Sequence, residues 1–406
     1  MTMKKILILG GGYAGVTAAV HLHGVAADIT LVNTHGYHHL TTLLHQPAVG
    51  RRHYEDLSVT LQQVLPRPVR FLRGRVQALD PTKRTALVKA RGGVKTLDYD
   101  ILVLALGWRP QYFDIPGLQE ASLTLEDLNK SRTAKDRIEE SLIAFDEDDS
   151  QRWRTCFVVG GGGLTGIELT GELVDSLPAL GRAFDLTFRD FTIFLVEGAP
   201  NLLPGMDPWL AQRATAYLKR RGVRVLTGVR ITGVAGEKIS LSDGTTIQAG
   251  ALFWTGGVRA SEVPEKAGLP VGKAGRVVVD QFLQVRGHPE IFAAGDCAMV
   301  TDARGVPMPP TAWIAVQHGQ SIAENIHRHF AGKDMQPCSA TSPAVILSMG
   351  RREALGIVYG KRISGATAGL LKDMLAFRYL YGIGGLALVM RKLWEWTPYL
   401  IHLHRL

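Results

Sequence analysis

Cysteine is scarce. The chain has three in 406 residues, Cys156, Cys297 and Cys338, far apart and with no CxxC or CxxxxC spacing. That excludes a local redox disulfide and a zinc finger, and the low odd count suits a reducing compartment. No unbroken apolar run approaches the ~18–20 residues of a membrane span. The start, Met-Thr-Met-Lys-Lys before Ile6–Leu9, imitates a secretory leader. Its apolar stretch is too short for one and leads straight into a glycine loop. Acidic residues are outnumbered, 37 against 46 basic, for a formal charge of +9, and from Lys361 to Leu406 there are seven basic residues against two acids. Such an excess suits nucleic acid, but no recognition motif accompanies it, so no nucleic-acid partner is expected. The one acidic block, Asp146–Ser150, is expected to be a solvated linker, and no metal site is expected.

Hydrophobic residues make up 46% of the chain and charged ones 20%, enough for a packed core. Two or three domains fit the length. Glycine is in excess, 45 residues, and it clusters. Lys4 to Leu9 reads as a buried parallel strand, followed by Gly10, Gly12 and Gly15 in GxGxxG spacing with Tyr13 and Ala14 between them, a helix to about His23, and a strand ending at Asn33. The pattern returns about 150 residues later: a strand over 155–159, GxGxxG at Gly161, Gly163 and Gly166, a helix to about Ser176, and a strand ending at Glu197. In such units the glycines make a tight turn and let backbone N–H groups approach a pyrophosphate at a helix N-terminus. One copy is weak evidence; two, each between strand and helix, predict two dinucleotide sites. Glu197 would accept from the 2′-hydroxyl of NADH and repel the 2′-phosphate of NADPH, the alternative being a strand-end acid facing solvent. Asn33 stands where an acid is usual. A helix is predicted over 124–145, another from Asp207-Pro208 to about Arg221, and another over 312–330. Gly295-Asp296 closes a further buried strand.

Several strings are more specific: Gly163-Leu164-Thr165-Gly166-Ile167-Glu168, Val196-Glu197-Gly198-Ala199-Pro200, Trp254-Thr255-Gly256-Gly257-Val258-Arg259, Gly295-Asp296-Cys297, Ile314-Ala315-Val316-Gln317-His318-Gly319 and Arg378-Tyr379-Leu380-Tyr381. Together they resemble the type II NADH:quinone dehydrogenases, single-chain, non-pumping flavoproteins with two dinucleotide-binding domains. The resemblance implies an α/β fold with an NADH domain (111–284) inserted into an FAD domain (1–110 and 285–330), and a C-terminal membrane-binding region (331–406). FAD, held non-covalently, would meet Gly10, Gly12, Tyr13, Ala14, Gly15, Asn33, Gly107, Gly295 and Asp296. NADH would meet Gly161, Gly163, Gly166, Glu197 and Gly257. Glu168, Gln317 and Lys372 would serve catalysis at the flavin and quinone. Read by themselves, Glu168 is a first-turn acid on the helix dipole, Gln317 a polar helix-face residue and Lys372 a surface lysine. Trp313 stands where the family has Gln, which opens the question of which quinone, ubiquinone or menaquinone class, is used. A demethylnaphthoquinone or ferredoxin reductase of the same fold is the alternative reading.

The tail completes the expectation. Leu370, Met374, Phe377 and Tyr381 form one helical stripe with Lys372 on the far side, and Arg391, Lys392, Trp394, Trp396 and Tyr399 follow. Apolar, aromatic and basic residues in this mixture suit a helix in a membrane interface, peripheral and on the cytoplasmic side. A core helix or a homodimer face is the alternative.

Overall fold

Ile6–Leu9 are almost wholly buried because they form the middle of a parallel strand covered on both faces, which is why the run is continuous rather than alternating. The computed structural model describes residues 3–301 and 305–402, with side chains to Thr397; Arg405 and the Tyr399 side chain lie outside the described residues. The strand Lys4–Leu9 pairs in parallel with Ala27–Asn33 on one side and Ile101–Leu104 on the other. His288–Ala293 adds beside Ile101–Leu104, Gln284–Val285 pairs outside it, and Arg70–Asp80, Thr85–Ala90 and Gly93–Asp98 extend the far edge, eight strands in all. The chain therefore leaves this sheet after Leu104 and rejoins it at Gln284, with His288–Ala293 next to the strand it left.

The intervening residues build a second, five-stranded parallel sheet: Ser122–Leu123, Ala251–Trp254, Cys156–Gly160, Thr192–Glu197 and Arg224–Thr227, in that order. The outgoing and returning segments run side by side as a two-stranded ribbon, Trp108–Pro110 against Val258–Ala260. The fold is α/β, with the second unit inserted into the first.

Six long helices fill the layers: α1 (Tyr13–His21), α2 (Leu128–Glu147), α3 (Leu164–Gly181), α4 (Pro208–Arg220), α5 (Ala312–Phe330) and α6 (Ala366–His402). Asp207 caps α4, its carboxylate accepting from the Trp209 N–H, with Pro208 at the first helical position. Gly319 lets α5 lie directly on α1; a Cβ there would sit 2.4 Å from the Ala14 carbonyl oxygen. The C-terminal region contains a three-stranded antiparallel sheet that the sequence reading did not anticipate: Ala344–Ser348, Ala354–Val358 and Lys361–Ser364. It packs against α3, where a Cβ on Gly171 would lie 2.4 Å from the Met349 carbonyl carbon.

α6 is two legs. Gly385 breaks it with φ +63 and ψ −163, a conformation open to glycine and costly for other residues. The 366–397 part is long and apolar enough to cross a membrane by length and composition, which the absence of an unbroken apolar run had hidden. The second leg folds back to the first unit: Trp396 is fully buried, its indole N–H donating to the Asp56 carbonyl, and the Lys392 ammonium donates to the same oxygen.

Candidate functional site

The two glycine loops superimpose in their details. Gly10 and Gly161 both have φ +112. A Cβ on Gly15 would meet the Gly10 carbonyl oxygen at 1.9 Å, and one on Gly166 would meet that of Gly161 at 1.8 Å. Gly12 and Gly163, by contrast, face open space, with nothing within 4 Å of a built Cβ. Each is the N-cap of its helix, and neither α1 nor α3 has a side-chain cap. Two helix N-termini thus present uncapped N–H groups beside an open cradle, which fits a pyrophosphate at each.

The strand-end residues play matching parts. Asn33 Oδ1 accepts from the Gly11 N–H at 3.0 Å, and its Nδ2 donates to the His35 and Tyr37 carbonyls. The Glu197 carboxylate accepts from the Gly162 N–H at 2.6 Å and from the Ala199 N–H at 2.7 Å. Both brace the middle glycine of their loop, so neither is a strand end facing water. Asn33 has spent its donors on the chain. Glu197 keeps spare lone pairs.

Gly107 (φ +66) leaves open space beside it, and Gly257 is overlaid by the Phe113 ring, 2.8 Å from a built Cβ. The Gly295 N–H donates to His318 Nδ1 at 3.2 Å, which puts the His318 proton on Nε2. Burial holds that imidazole at a pKa of about 4. Burial also raises the carboxyl of Asp296, with Arg276 opposing. Gly295, Asp296, Arg276 and His318 line one small cavity with Thr311 and Ile314. Tyr13 stacks at a tilt on Tyr379 of α6 (centroids 4.6 Å) and edge-on to His38 (5.0 Å). His38 Nδ1 meets the Gly11 carbonyl at 3.1 Å, so it carries the proton, and the Tyr379 hydroxyl donates to Nε2 at 3.1 Å. The tail is thereby hydrogen-bonded to the first glycine loop.

Glu168 is where the structure departs most from expectation. α3 begins at Leu164, so Glu168 sits in the second turn, not the first, and it is buried. Its Oε1 accepts from the Lys372 ammonium and from the Ser348 N–H at 3.1 Å, while its Oε2 is 3.5 Å from His45 Nδ1. Lys372 also donates to Ser348 Oγ at 2.9 Å. The pair is an internal ion pair, satisfied by further hydrogen bonds as buried charge requires. Lys372 is therefore no surface lysine. Gln317 is engaged as well: its amide donates to the Thr341 carbonyl at 2.8 Å and accepts from the Thr341 N–H at 3.0 Å. Trp313, one turn earlier, carries the Arg378 guanidinium over its ring at 4.8 Å.

Sequence reasoning missed three of these partners. His45, in a turn, and Ser348, at the end of the strand Ala344–Ser348, are 303 residues apart and carry no local signal. Glu172, fully buried and paired with Arg51, was legible: it lies four residues from Glu168, on the same face of the helix. The tail stripe needs correction too. Leu370, Met374 and Tyr381 are exposed, joined by Leu386, Met390 and Trp394, but Phe377 packs on Trp396 at 4.7 Å. Lys392 and Trp396 face inward.

Residues 4–319 match the family described as pyridine nucleotide-disulphide oxidoreductase. Over 408 aligned positions the chain is 35% identical to the type II NADH:quinone oxidoreductase of Staphylococcus epidermidis, covering 96% of this chain and 98% of that one. The chain belongs to the type II NADH:quinone oxidoreductases. Its fold is similar to that of NDH2 from Plasmodium falciparum in complex with NADH, with TM-score 0.87, 16% identity and 98% of each chain covered. It is also similar to the sulfide:quinone oxidoreductase of Aquifex aeolicus, with TM-score 0.78 and 19% identity over 94% of this chain and 91% of that one. Within this family of NADH:quinone oxidoreductases the cysteines of the present chain read as structural: all three are free, and burial pushes the Cys156 thiol to about 12 and Cys297 to about 11. Neither forms a thiolate nucleophile at neutral pH.

Proposed function

We propose that this flavoprotein oxidises NADH and reduces a membrane quinone of the ubiquinone or menaquinone class by two electrons through non-covalently bound FAD, without pumping protons, from the cytoplasmic face of the cell membrane. The observation that carries this reading is the doubled, uncapped glycine cradle with the buried Glu168–Lys372 pair one turn into α3. In this reading residues 1–110 and 285–330 form the FAD unit, 111–284 the NADH unit and 331–406 the membrane region. The return of the chain to the strand it left supports that division.

FAD bound there would supply the chemistry: hydride acceptance from NADH and two-electron reduction of quinone. The chain's own part is orientation and charge. The Gly10, Gly12 and Gly15 loop would hold the FAD pyrophosphate, with Tyr13 and Ala14 at the start of α1, Asn33 fixing the loop, Gly107 clearing the approach, and Gly295 and Asp296 near the ribityl chain. The Gly161, Gly163 and Gly166 loop would hold the NADH pyrophosphate, with Glu197 on the ribose and Gly257 beside the nicotinamide half. Glu168 and Lys372 would hold a proton at the acceptor, where quinone needs one. Gln317 would have to exchange its Thr341 bonds for a quinone carbonyl, whereas Lys372 is already at the pair. The exposed stripe of α6 would lie in the bilayer surface.

The test is substrate exchange with the purified protein. Released flavin should be FAD by mass, and NADH should be oxidised rapidly with a soluble quinone and slowly with ferredoxin. Faster turnover with ferredoxin would instead support the ferredoxin-reductase reading.

A further inference from the structure

A quinone is apolar except at its carbonyl oxygens, so a site that orients one needs a hydrogen-bond donor held ready in an apolar setting. On the reading above, the quinone passes from the exposed stripe of α6 to the flavin. The first turn of α5 touches both ends of that path. Thr311 caps the turn, its hydroxyl accepting from the Ile314 N–H at 3.3 Å, and Thr311 and Ile314 line the cavity that contains Asp296. Trp313, on the same turn, has its ring under the Arg378 guanidinium of α6. Arg378 is exposed and continues the four-residue step of Leu370 and Met374, on the face of α6 that carries the apolar stripe.

Two side chains of α5 could donate there, and their states are opposite. Gln317 has no N–H to spare. Its Nε2 donates to the Trp313 carbonyl at 3.2 Å and to the Thr341 carbonyl at 2.8 Å, while its Oε1 accepts from the Thr341 N–H at 3.0 Å. An amide has two N–H bonds, and both are used. Trp313 has its donor in reserve: Nε1 is buried and has no hydrogen-bond partner among the described residues. A buried indole N–H normally finds a partner, and leaving one unpaired is costly. The ring around it is only half-buried, so a modest rotation of the side chain presents the N–H to an incoming carbonyl.

We propose that the Trp313 Nε1–H, and not the Gln317 amide, is the donor that holds a carbonyl of the quinone. The inference rests on the quinone reading above and names the residue that binds the acceptor. Arg378 assists through the ring. A cation over the π face, here at 4.8 Å, holds the indole in place and draws electron density from its nitrogen, which makes the N–H a better donor. Its charge also favours the negative charge that the carbonyl oxygen gains as electrons arrive. An indole donates and cannot accept. It therefore holds the quinone, whose carbonyl is the stronger acceptor, and offers nothing to the hydroxyl proton of the quinol. The same group that binds the substrate lets the product go.

The experiment uses the full-length, flavin-loaded protein in liposomes, with menadione as the acceptor. Trp313→Phe keeps an aromatic ring under Arg378 and removes the N–H. The quinone KM should rise roughly tenfold, the loss of one hydrogen bond, while NADH still reduces the flavin at the wild-type rate. Trp313→Gln restores a donor and adds an acceptor. Its quinone KM should return close to the wild-type value, and inhibition by the quinol should tighten severalfold. Menadione labelled with a heavy isotope at its carbonyl carbons gives the direct readout: the infrared carbonyl band, lowered on binding to the wild type, should move back toward the free position in Trp313→Phe and stay lowered in Trp313→Gln. The proposal is overturned by a wild-type KM in Trp313→Phe, or by a raised KM with the carbonyl band unmoved, which would make Trp313 a packing residue. The reading beneath it fails separately: a wild-type flavin that NADH reduces and menadione does not reoxidise removes the quinone itself. Reoxidation that is rapid and identical in wild type and Trp313→Phe removes only the indole.

Discussion

Asn33 and Glu197 hold the same N–H in two copies of one loop, and what separates them is a charge. The carboxylate should reject the 2′-phosphate of NADPH, since a like-charge juxtaposition costs several kcal/mol, or roughly a hundredfold or more in kcat/KM. Glu197→Gln should narrow the gap chiefly by improving NADPH. Equal kcat/KM for the two nucleotides in the wild type would remove Glu197 from the ribose. Both residues were legible in the sequence because each ends a strand that follows a glycine turn, and that spacing is dictated by backbone geometry. Glu168 was legible as a residue but not in its setting: a place two residues past the last glycine of the loop does not reveal a lysine 204 positions later. His45 and Ser348 were not legible at all, because tertiary packing alone brings them to Glu168.

Among elements, α1 and α5 meet backbone to backbone at Gly319. Gly319→Ala forces a methyl toward the Ala14 carbonyl oxygen, and overpacking of this kind costs about 1–3 kcal/mol. The expected readouts are a lower Tm and faster flavin loss, since α1 begins at the first glycine loop. An unchanged Tm would show that the helices slide apart freely. The long helices were readable from their apolar period, and α5 falls where it was predicted. The 344–364 sheet was not readable: its strands are four or five residues long, too short for a period to stand out from loop. For α6 the stripe was readable, but the fold-back at Gly385 was not, so Trp396 and Lys392 were assigned to the wrong side. Truncating the tail would also delete Lys372 and Tyr379. Leu386→Glu with Met390→Glu, on exposed positions, is the better probe. Liposome binding should fall by roughly tenfold or more as buried apolar area is lost and charge is added near anionic lipid, with bound flavin retained. Undiminished binding would reassign the stripe to a contact between copies.

At the scale of the whole molecule, buried neutral imidazoles set the acid limit. Burial lowers His38 to about 3 and His318 to about 4 from 6.5. Their unfolded forms take up protons that the native forms refuse, so stability is full above pH 6.5 and falls as pH drops toward those values. Each should cost about 2 kcal/mol between pH 7 and pH 5. Urea unfolding at the two pH values checks this, and a flat stability would mean that these rings open to water in the native state.

The two-unit architecture matters because it lets one chain join a soluble reductant to a lipid-soluble acceptor. The decisive measurement is an anaerobic titration of the purified protein followed by flavin absorbance. The account predicts that about one equivalent of NADH bleaches the bound flavin and that one equivalent of quinone restores it. A flavin that NADH bleaches but quinone leaves reduced would contradict the central claim.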